Sequence, residues 1–238
     1  MENVSFFPPK ALITDVDGTI TDERRRINTD AILAIRTVID ADIPVILASG
    51  NTVCSLNMLS KMIGTDGTII AENGGTYRVT YQGEQKVCGN HKLCWDAYEL
   101  LNTHFSEIGN ELELYSPKDR FADVAFARTV SAGDVRELLK QMPSVKVIDT
   151  GFAIHLQLAG ITKGSAFLNI AEEMNIPASE FLAVGDSEND LEMLENAGIG
   201  ISVSNGHPNL LGAADWISKK TYGDGFVETV IKYFPSLF

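Results

Sequence analysis

Residues 12–21, LITDVDGTIT, decide how this chain reads. Leu12 and Ile13 close a short apolar run that stops at two acids, Asp15 and Asp17, with Gly18 and Thr19 directly behind them. An apolar run ending in an acid pair and a glycine predicts a buried parallel strand with charged residues at its carboxyl end. That end is where open α/β sheets bind ligands. Two carboxylates separated by a single residue, beside a flexible turn, suit a hard cation, a phosphoryl group, or both.

Working outward, the same pattern recurs. Residues 10–14 are the predicted first strand, and residues 22–26 form a charged turn in which Arg24, Arg25 and Arg26 are expected to be solvated, with a minor reading in which one of them faces substrate from the rim. Asn28 is placed to cap a helix running to residue 41, with Ile32, Leu33, Ile35, Val38 and Ile39 on its apolar face. The run IPVILA, residues 43–48, is a second strand that ends in Ser49, Gly50, Asn51 and Thr52. A helix over 53–63 follows, and unpaired amides at a helix start beside a hydroxyl make an anion site. Residues 67–71 are a third strand, ending in Glu72, Asn73, Gly74 and Gly75. This β-α-β-α-β opening is that of a doubly wound parallel sheet in an α/β fold.

The texture then changes. Residues 76–82 and 84–88 alternate about Gly83 and predict a hairpin, followed by a helix over 92–108, strands over 111–116 and 123–127, a helix over 131–142 and a second hairpin, 145–149 with 153–158. Paired strands with intervening helices describe an α+β insert, placed at 82–158, within a core made of 1–81 and 159–238. The core pattern resumes at Gly160. A helix begins at Lys163, and the apolar strand 181–184 runs into GDSEND, residues 185–190. A helix over 191–197, a strand over 200–203 and a final helix over 224–234 complete it.

Three parallel strands are thus expected to end in polar clusters: Asp15 with Asp17, Ser49 with Gly50 and Asn51, and Asp186 with Asn189 and Asp190. Parallel strands align their carboxyl ends, so the clusters can share one cleft. Several carboxylates in one cleft raise one another's pKa values unless a cation neutralises them. An all-oxygen ligand set with few dedicated side chains favours Mg²⁺.

DVDGT, a strand ending in Ser, then Lys, then GDSEND resembles, in order and spacing, the four-motif signature of the haloacid dehalogenase superfamily of phosphatases, and the insert resembles its C2-type cap. Within that superfamily the SGN triplet at 49–51, the ENGG at 72–75 and the reduced cap resemble the archaeal phosphoglycolate phosphatases. The related Cof-type sugar phosphatases usually carry Arg where this chain has Asn51. The resemblance implies a Mg²⁺-dependent phosphomonoesterase. Asp15 would be the nucleophile and a metal ligand. Asp17 would be the acid/base, with its main-chain carbonyl on the metal. Ser49, Gly50, Asn51, Lys163 and Asn189 would hold phosphate. Asp186 would ligate the metal, and Asp190 would assist directly or through water. The substrate it implies is 2-phosphoglycolate, with another small phosphorylated acid or sugar as the alternative. A phosphomutase and a phospho-accepting receiver module are remoter readings; Asp17 and the size of the insert argue against a receiver.

The remaining composition narrows partners. The chain has 238 residues, 45% of them hydrophobic, enough to bury a core. Its net charge of −13 argues against nucleic acid, whose backbone needs a basic footprint. No apolar run approaches the roughly 20 residues that span a bilayer, so no membrane partner is expected. The amino terminus, MENVSFFPPK, has no signal-peptide pattern, and three cysteines without a CxxC fit reduced thiols in a cytoplasm. A homodimer is the expected assembly. Lys118, Arg120, Arg128, His155 and Gln157 are the insert's candidates for gripping a substrate carboxylate, while His91, His104 and His207 are expected to be solvated or capping.

Overall fold

A computed structural model gives the structure of residues 8–238. Most of the amino-terminal stretch read above for a signal peptide, residues 1–7, lies outside the described residues. The first half of the core holds β1 (Ala11–Asp15), α1 (Thr29–Asp40), β2 (Val45–Ala48), α2 (Val53–Ile63), β3 (Ile69–Ala71), β4 (Thr76–Arg78) and β5 (Lys86–Val87). Next come α3 (His91–Glu107), β6 (Val124–Ala127), α4 (Ala132–Leu138), β7 (Val145–Asp149) and β8 (Ala153–Leu158). The chain returns to the core with α5 (Lys163–Glu173), β9 (Phe181–Gly185), α6 (Leu191–Asn196), β10 (Ile199–Ser202), α7 (Pro208–Ala213), β11 (Trp216–Ile217) and α8 (Tyr222–Tyr233).

The large sheet has eight strands in the order β11-β10-β9-β1-β2-β3-β4-β5. From β11 to β3 every pairing is parallel, and β4 and β5 add an antiparallel edge. Alternation along β1 sends Leu12 into a core shared with α1, α2 and α8, and Ala11 and Ile13 into one shared with α5, α6 and α7. Both faces of the sheet are covered, which is why its central strands read as unbroken apolar runs. The chain leaves β1 toward β2 and β3, then returns to lay β9 on the other side of β1. The carboxyl ends of β9, β1 and β2 therefore flank a topological switch point, where a crevice opens.

The smaller sheet is antiparallel, ordered β6-β8-β7. Val124, Phe126, Ile154 and Leu156 pack with Cys94, Ala97, Leu101 and Phe105 of α3 and with Val135 of α4. The alternate residues Asp123, His155 and Gln157 turn toward the core sheet's crevice and bond to one another or to Glu72 and Asn73.

Two expectations need correction. The second arm of the hairpin, read as the start of the insert, joins the large sheet, because β5 pairs with β4. Residues 111–116 do not form a strand. Their alternation is real, and Tyr115 N and Ala127 N exchange bonds with Ala125 O and Glu113 O, but a single bridge at Leu114 is all that forms. Ser116, at φ 49°, and Pro117 turn the chain away at once.

Candidate active site

β1 carries Asp15 as its last residue, one position beyond the predicted end, and buries it to 4% exposure. Its Oδ1 accepts from Lys163 Nζ at 2.6 Å, while Oδ2 is buried and has no partner among the described residues. Gly18 follows at φ +91°, and a Cβ there would collide with the Asp186 carboxylate. Glycine therefore lets the first loop cross directly over the end of β9. Thr19 Oγ1 and Ser187 Oγ donate to Asp186 Oδ1 at 3.3 and 3.2 Å, which ties the two strand ends together.

Lys163 is the first residue of α5, behind a Thr162 cap completed by Ser165, and is 1% exposed. Its ammonium donates to Asp15 and, at 2.7 Å, to Asp190 Oδ1. Burial works against that charge, but Asp15 and Asp190 outweigh it and hold the group above the ordinary lysine range. Asp190 spends its other oxygen on the backbone N–H groups of Asp186 and Ser187. It thus fixes both the lysine and the loop that presents Asp186.

Carboxylate oxygens of Asp15, Asp186 and Asp190 lie within 4.8 Å of one another. Burial, and then the charge of Asp190, pushes Asp186 up to about 7. Burial pushes Asp15 well above its usual range, helped by Asp190 and Asp186 and opposed by Lys163. One lysine does not balance three acids, and an orphaned buried oxygen marks where more positive charge fits. The residues present suit a hard divalent cation held by Asp15 and Asp186, with Asp190 behind them.

The acid/base candidate Asp17 is half-buried, and its two oxygens accept from Asn51 Nδ2 at 2.7 Å and Arg25 Nε at 3.2 Å. Ser49 Oγ accepts the Asn51 N–H at 3.0 Å. Asn189 Nδ2 donates to Asn73 Oδ1 at 2.8 Å. Asp15, Asp17, Ser49, Gly50, Asn51, Lys163 and Asn189 all line one cleft of about 340 Å³, so the structure brings the three clusters together.

The insert closes the other side. Of its five candidates, Arg120 and His155 line the cleft. Lys118 is exposed, Arg128 pairs with Asp149 at 2.9 Å, and Gln157 donates to the carbonyls of Glu72 and Asn73. Arg25 also reaches the cleft: its guanidinium lies 3.8 Å from the centroid of the Phe152 ring, between β7 and β8. His207 caps α7, His104 is exposed, and His91 stacks near Trp95.

The turn after β3 has a part that its sequence does not reveal. Glu72 and Asn73 sit at φ 51° and 53°, both fully enclosed. Their N–H groups bond to Asn51 O and Ser49 O, and the Glu72 carboxylate accepts the N–H groups of Phe121, Ala122 and Asp123. Burial and the neighbouring Asp123 push Glu72 up to about 7 against those bonds. The signal available in the sequence was the polar pair at the end of an apolar strand.

A sequence model of the haloacid dehalogenase-like hydrolases matches residues 12–141 and 135–230. The chain is 57% identical to a phosphoglycolate phosphatase of Methanoculleus marisnigri, over 96% of this chain and 98% of that one. It is 46% identical to a phosphoglycolate phosphatase of Methanospirillum hungatei over the same shares, 96% and 98%. A crystal structure from Thermoplasma acidophilum superposes with a TM-score of 0.85 at 25% identity, covering 98% of this chain and 100% of that one. A haloacid dehalogenase-like hydrolase from Bacteroides thetaiotaomicron, 21% identical, shares the fold at a TM-score of 0.78 over 94% and 99% of the two chains.

Proposed function

The chain belongs to the haloacid dehalogenase-like hydrolases and is a phosphatase of that family, and we propose that it hydrolyses 2-phosphoglycolate to glycolate and phosphate with Mg²⁺, through an aspartyl-phosphate on Asp15. The observation that carries the mechanism is the buried Asp15–Lys163–Asp190 pairing, with a second acid, Asp17, two residues along the chain on the same cleft. The substrate rests on the name of relatives that match almost end to end, and a small cleft agrees with it.

Asp15 attacks phosphorus with one carboxylate oxygen as the bond to the ester oxygen breaks. Asp17 gives its proton to the departing alkoxide, then takes one from the water that attacks the phosphoenzyme, and phosphate leaves with Asp15 restored. Splitting the hydrolysis this way replaces one hard step with two easier ones. Lys163 lets two anions approach, and Ser49 with the amides around Gly50 and Asn51 receives the phosphoryl oxygens. Asp15 and Asp186 would hold Mg²⁺, which when bound would supply charge neutralisation to the transferred group. Asp190 supports this arrangement through Lys163 and the 186–187 backbone.

We divide the chain into a core that includes β5 and a cap running from α3 through β8, the cap excluding water when closed. No helix among the described residues is long and apolar enough to cross a membrane. Three free thiols agree with a reducing compartment, and we place the enzyme in the cytoplasm. A panel of phosphomonoesters with Mg²⁺ tests the reading: 2-phosphoglycolate should lead hexose phosphates and nucleotides in kcat/KM, and EDTA should stop turnover. A flat profile defeats the substrate assignment, and full rates in EDTA defeat the metal.

A further inference from the structure

We propose that Arg120 and His155 form a subsite for the substrate's carboxylate, set at a fixed distance from the phosphate loop by Glu72 and Asp123. The proposal rests on the cleft being that of a 2-phosphoglycolate phosphatase and says which of its side chains read the acid end.

Arg120 is 8% exposed and lines the cleft. Its Nη1 donates to Asp123 Oδ1 at 2.7 Å and to Gly50 O at 3.3 Å, and its Nε to Tyr115 O at 3.0 Å. Nη2 has no acceptor among the described residues, which leaves two N–H donors on a rigid, permanently charged plane. Contact with Gly50 puts this plane beside the loop that receives the phosphoryl group. In a two-carbon phosphoacid the carboxylate can lie no farther than a few ångströms from phosphorus, so an arginine at the phosphate loop is within reach.

His155, 3% exposed, completes the subsite from β8. Its Nδ1 meets Asp123 Oδ2 at 2.8 Å. Asp123 is fully buried; burial raises its carboxyl, but His155 and Arg120 more than reverse this and keep it anionic. An anionic acceptor makes Nδ1 an N–H, an assignment drawn from the network, so Nε2 donates to a carboxylate only when the ring carries both protons. Nε2 has no partner among the described residues, on a ring that lines the cleft. Asp123 thus orients both groups, and an arriving carboxylate meets the two Nη2 donors of Arg120 and, on the doubly protonated ring, Nε2 of His155.

Glu72 sets the spacing. The same turn bonds the phosphate loop through its own N–H groups and the 121–123 backbone through its carboxylate. Lys163 and Arg25 are the other cations lining the cleft; Lys163 is committed to Asp15 and Asp190, and Arg25 to Asp17 and Phe152, with 48% of its side chain accessible.

A purely structural Arg120 that bolts cap to core would make no distinction between substrates. The test compares 2-phosphoglycolate with ethyl phosphate, in which a methyl group replaces the carboxylate, for wild type, Arg120→Met and His155→Asn. The asparagine amide can keep a donor to Asp123 while losing the reach of Nε2. Arg120→Met should lower the ratio of kcat/KM for 2-phosphoglycolate over that for ethyl phosphate by about 100-fold, and His155→Asn by about 10-fold. Equal losses on both substrates overturn the proposal, as does an unchanged preference in either variant. Should Arg120→Met not fold, His155→Asn carries the same decision. A wild type that does not prefer the carboxylated substrate fails the underlying assignment instead, and that result appears before any variant is made.

Discussion

On the core wall of the cleft, Asp15, Ser49 and Asp186 stand at the carboxyl ends of neighbouring parallel strands, β1, β2 and β9. On the cap wall, Arg120 comes from a loop, Asp123 from the residue before β6, and His155 from the middle of β8. The core wall is assembled by topology: any right-handed α/β winding brings those ends together, whatever the loops do. The cap wall is assembled by register. Its antiparallel strands have no common end, and His155 faces the cleft because Ala125 lies opposite it while Ile154 and Leu156 fill the other face. One wall can therefore hold a reaction constant while the other varies the substrate.

The strongest way to break this contrast is to disable the core wall and ask whether the cap wall supports any turnover. Asp15→Asn removes the proposed nucleophile but keeps size and shape. Turnover should fall by at least about 10⁴-fold, with the fold intact by circular dichroism, because residues that act as a unit fail together. Substantial phosphatase activity in that variant would sink the mechanism.

Lys163→Met should come next. It should lower kcat by about 10²–10³-fold, the scale of a lost preorganised charge. It also leaves Asp15, Asp186 and Asp190 without their cation. Removing one partner of a buried ion pair costs about 3–5 kcal/mol. Much of that loss should return on adding Mg²⁺, since the cation would take over the neutralising role. Thermal unfolding with and without Mg²⁺ measures it, and a Tm indifferent to Mg²⁺ would argue that the acids do not hold the metal.

The two walls also differed in how far the sequence disclosed them. Asp15, Asp17, Ser49 and Asp186 could be placed at one crevice because strand ends can be recognised from apolar runs and the parallel sheet aligns them, whereas Lys163, at the head of α5, came only through the family resemblance. Arg120 and His155 stood among five cap candidates that the sequence had no means to rank. Separating them from Lys118, Arg128 and Gln157 needs to know which face of a three-stranded sheet is covered by helices, a fact of tertiary packing. Glu72 and Arg25 were less visible still. Both sit at positive φ, in turns whose geometry is fixed by distant partners, and neither residue type announces that conformation. The false strand at 111–116 has the same origin: its alternation was present, but Ser116 and Pro117 cut the pairing short.

Glu72 is where the walls meet, and its titration should appear in stability. Folding raises its pKa from 4.5 to about 7, chiefly through burial and then Asp123. The folded state then holds a proton that the unfolded chain has released, so stability falls as pH rises from about 4.5 through 7. The full effect is on the order of 3 kcal/mol. Glu72→Gln keeps an acceptor for the 121–123 amides and removes the titration. Urea midpoints from pH 4.5 to 8 should therefore converge at acid pH and separate in the variant's favour above 7, and parallel curves would show that Glu72 does not titrate in this range.

The smallest expected effect falls on the direct contact between the walls. Arg25 lies over Phe152 and also donates to Asp17, so a cap residue touches a core arginine that touches the proposed acid/base. Both side chains are partly exposed, and cation–π pairs in such places are worth about 0.5–1 kcal/mol. Phe152→Leu should therefore shift stability by no more than about 1 kcal/mol. Because Asn51 still holds the other oxygen of Asp17, kcat should change by less than about threefold, with any larger change confined to KM. A fall in kcat beyond tenfold, with the acid limb of the pH–rate profile displaced, would mean that the cap reaches into the acid–base step through Arg25. The division between a wall that reacts and a wall that selects would then have to be redrawn around this one contact.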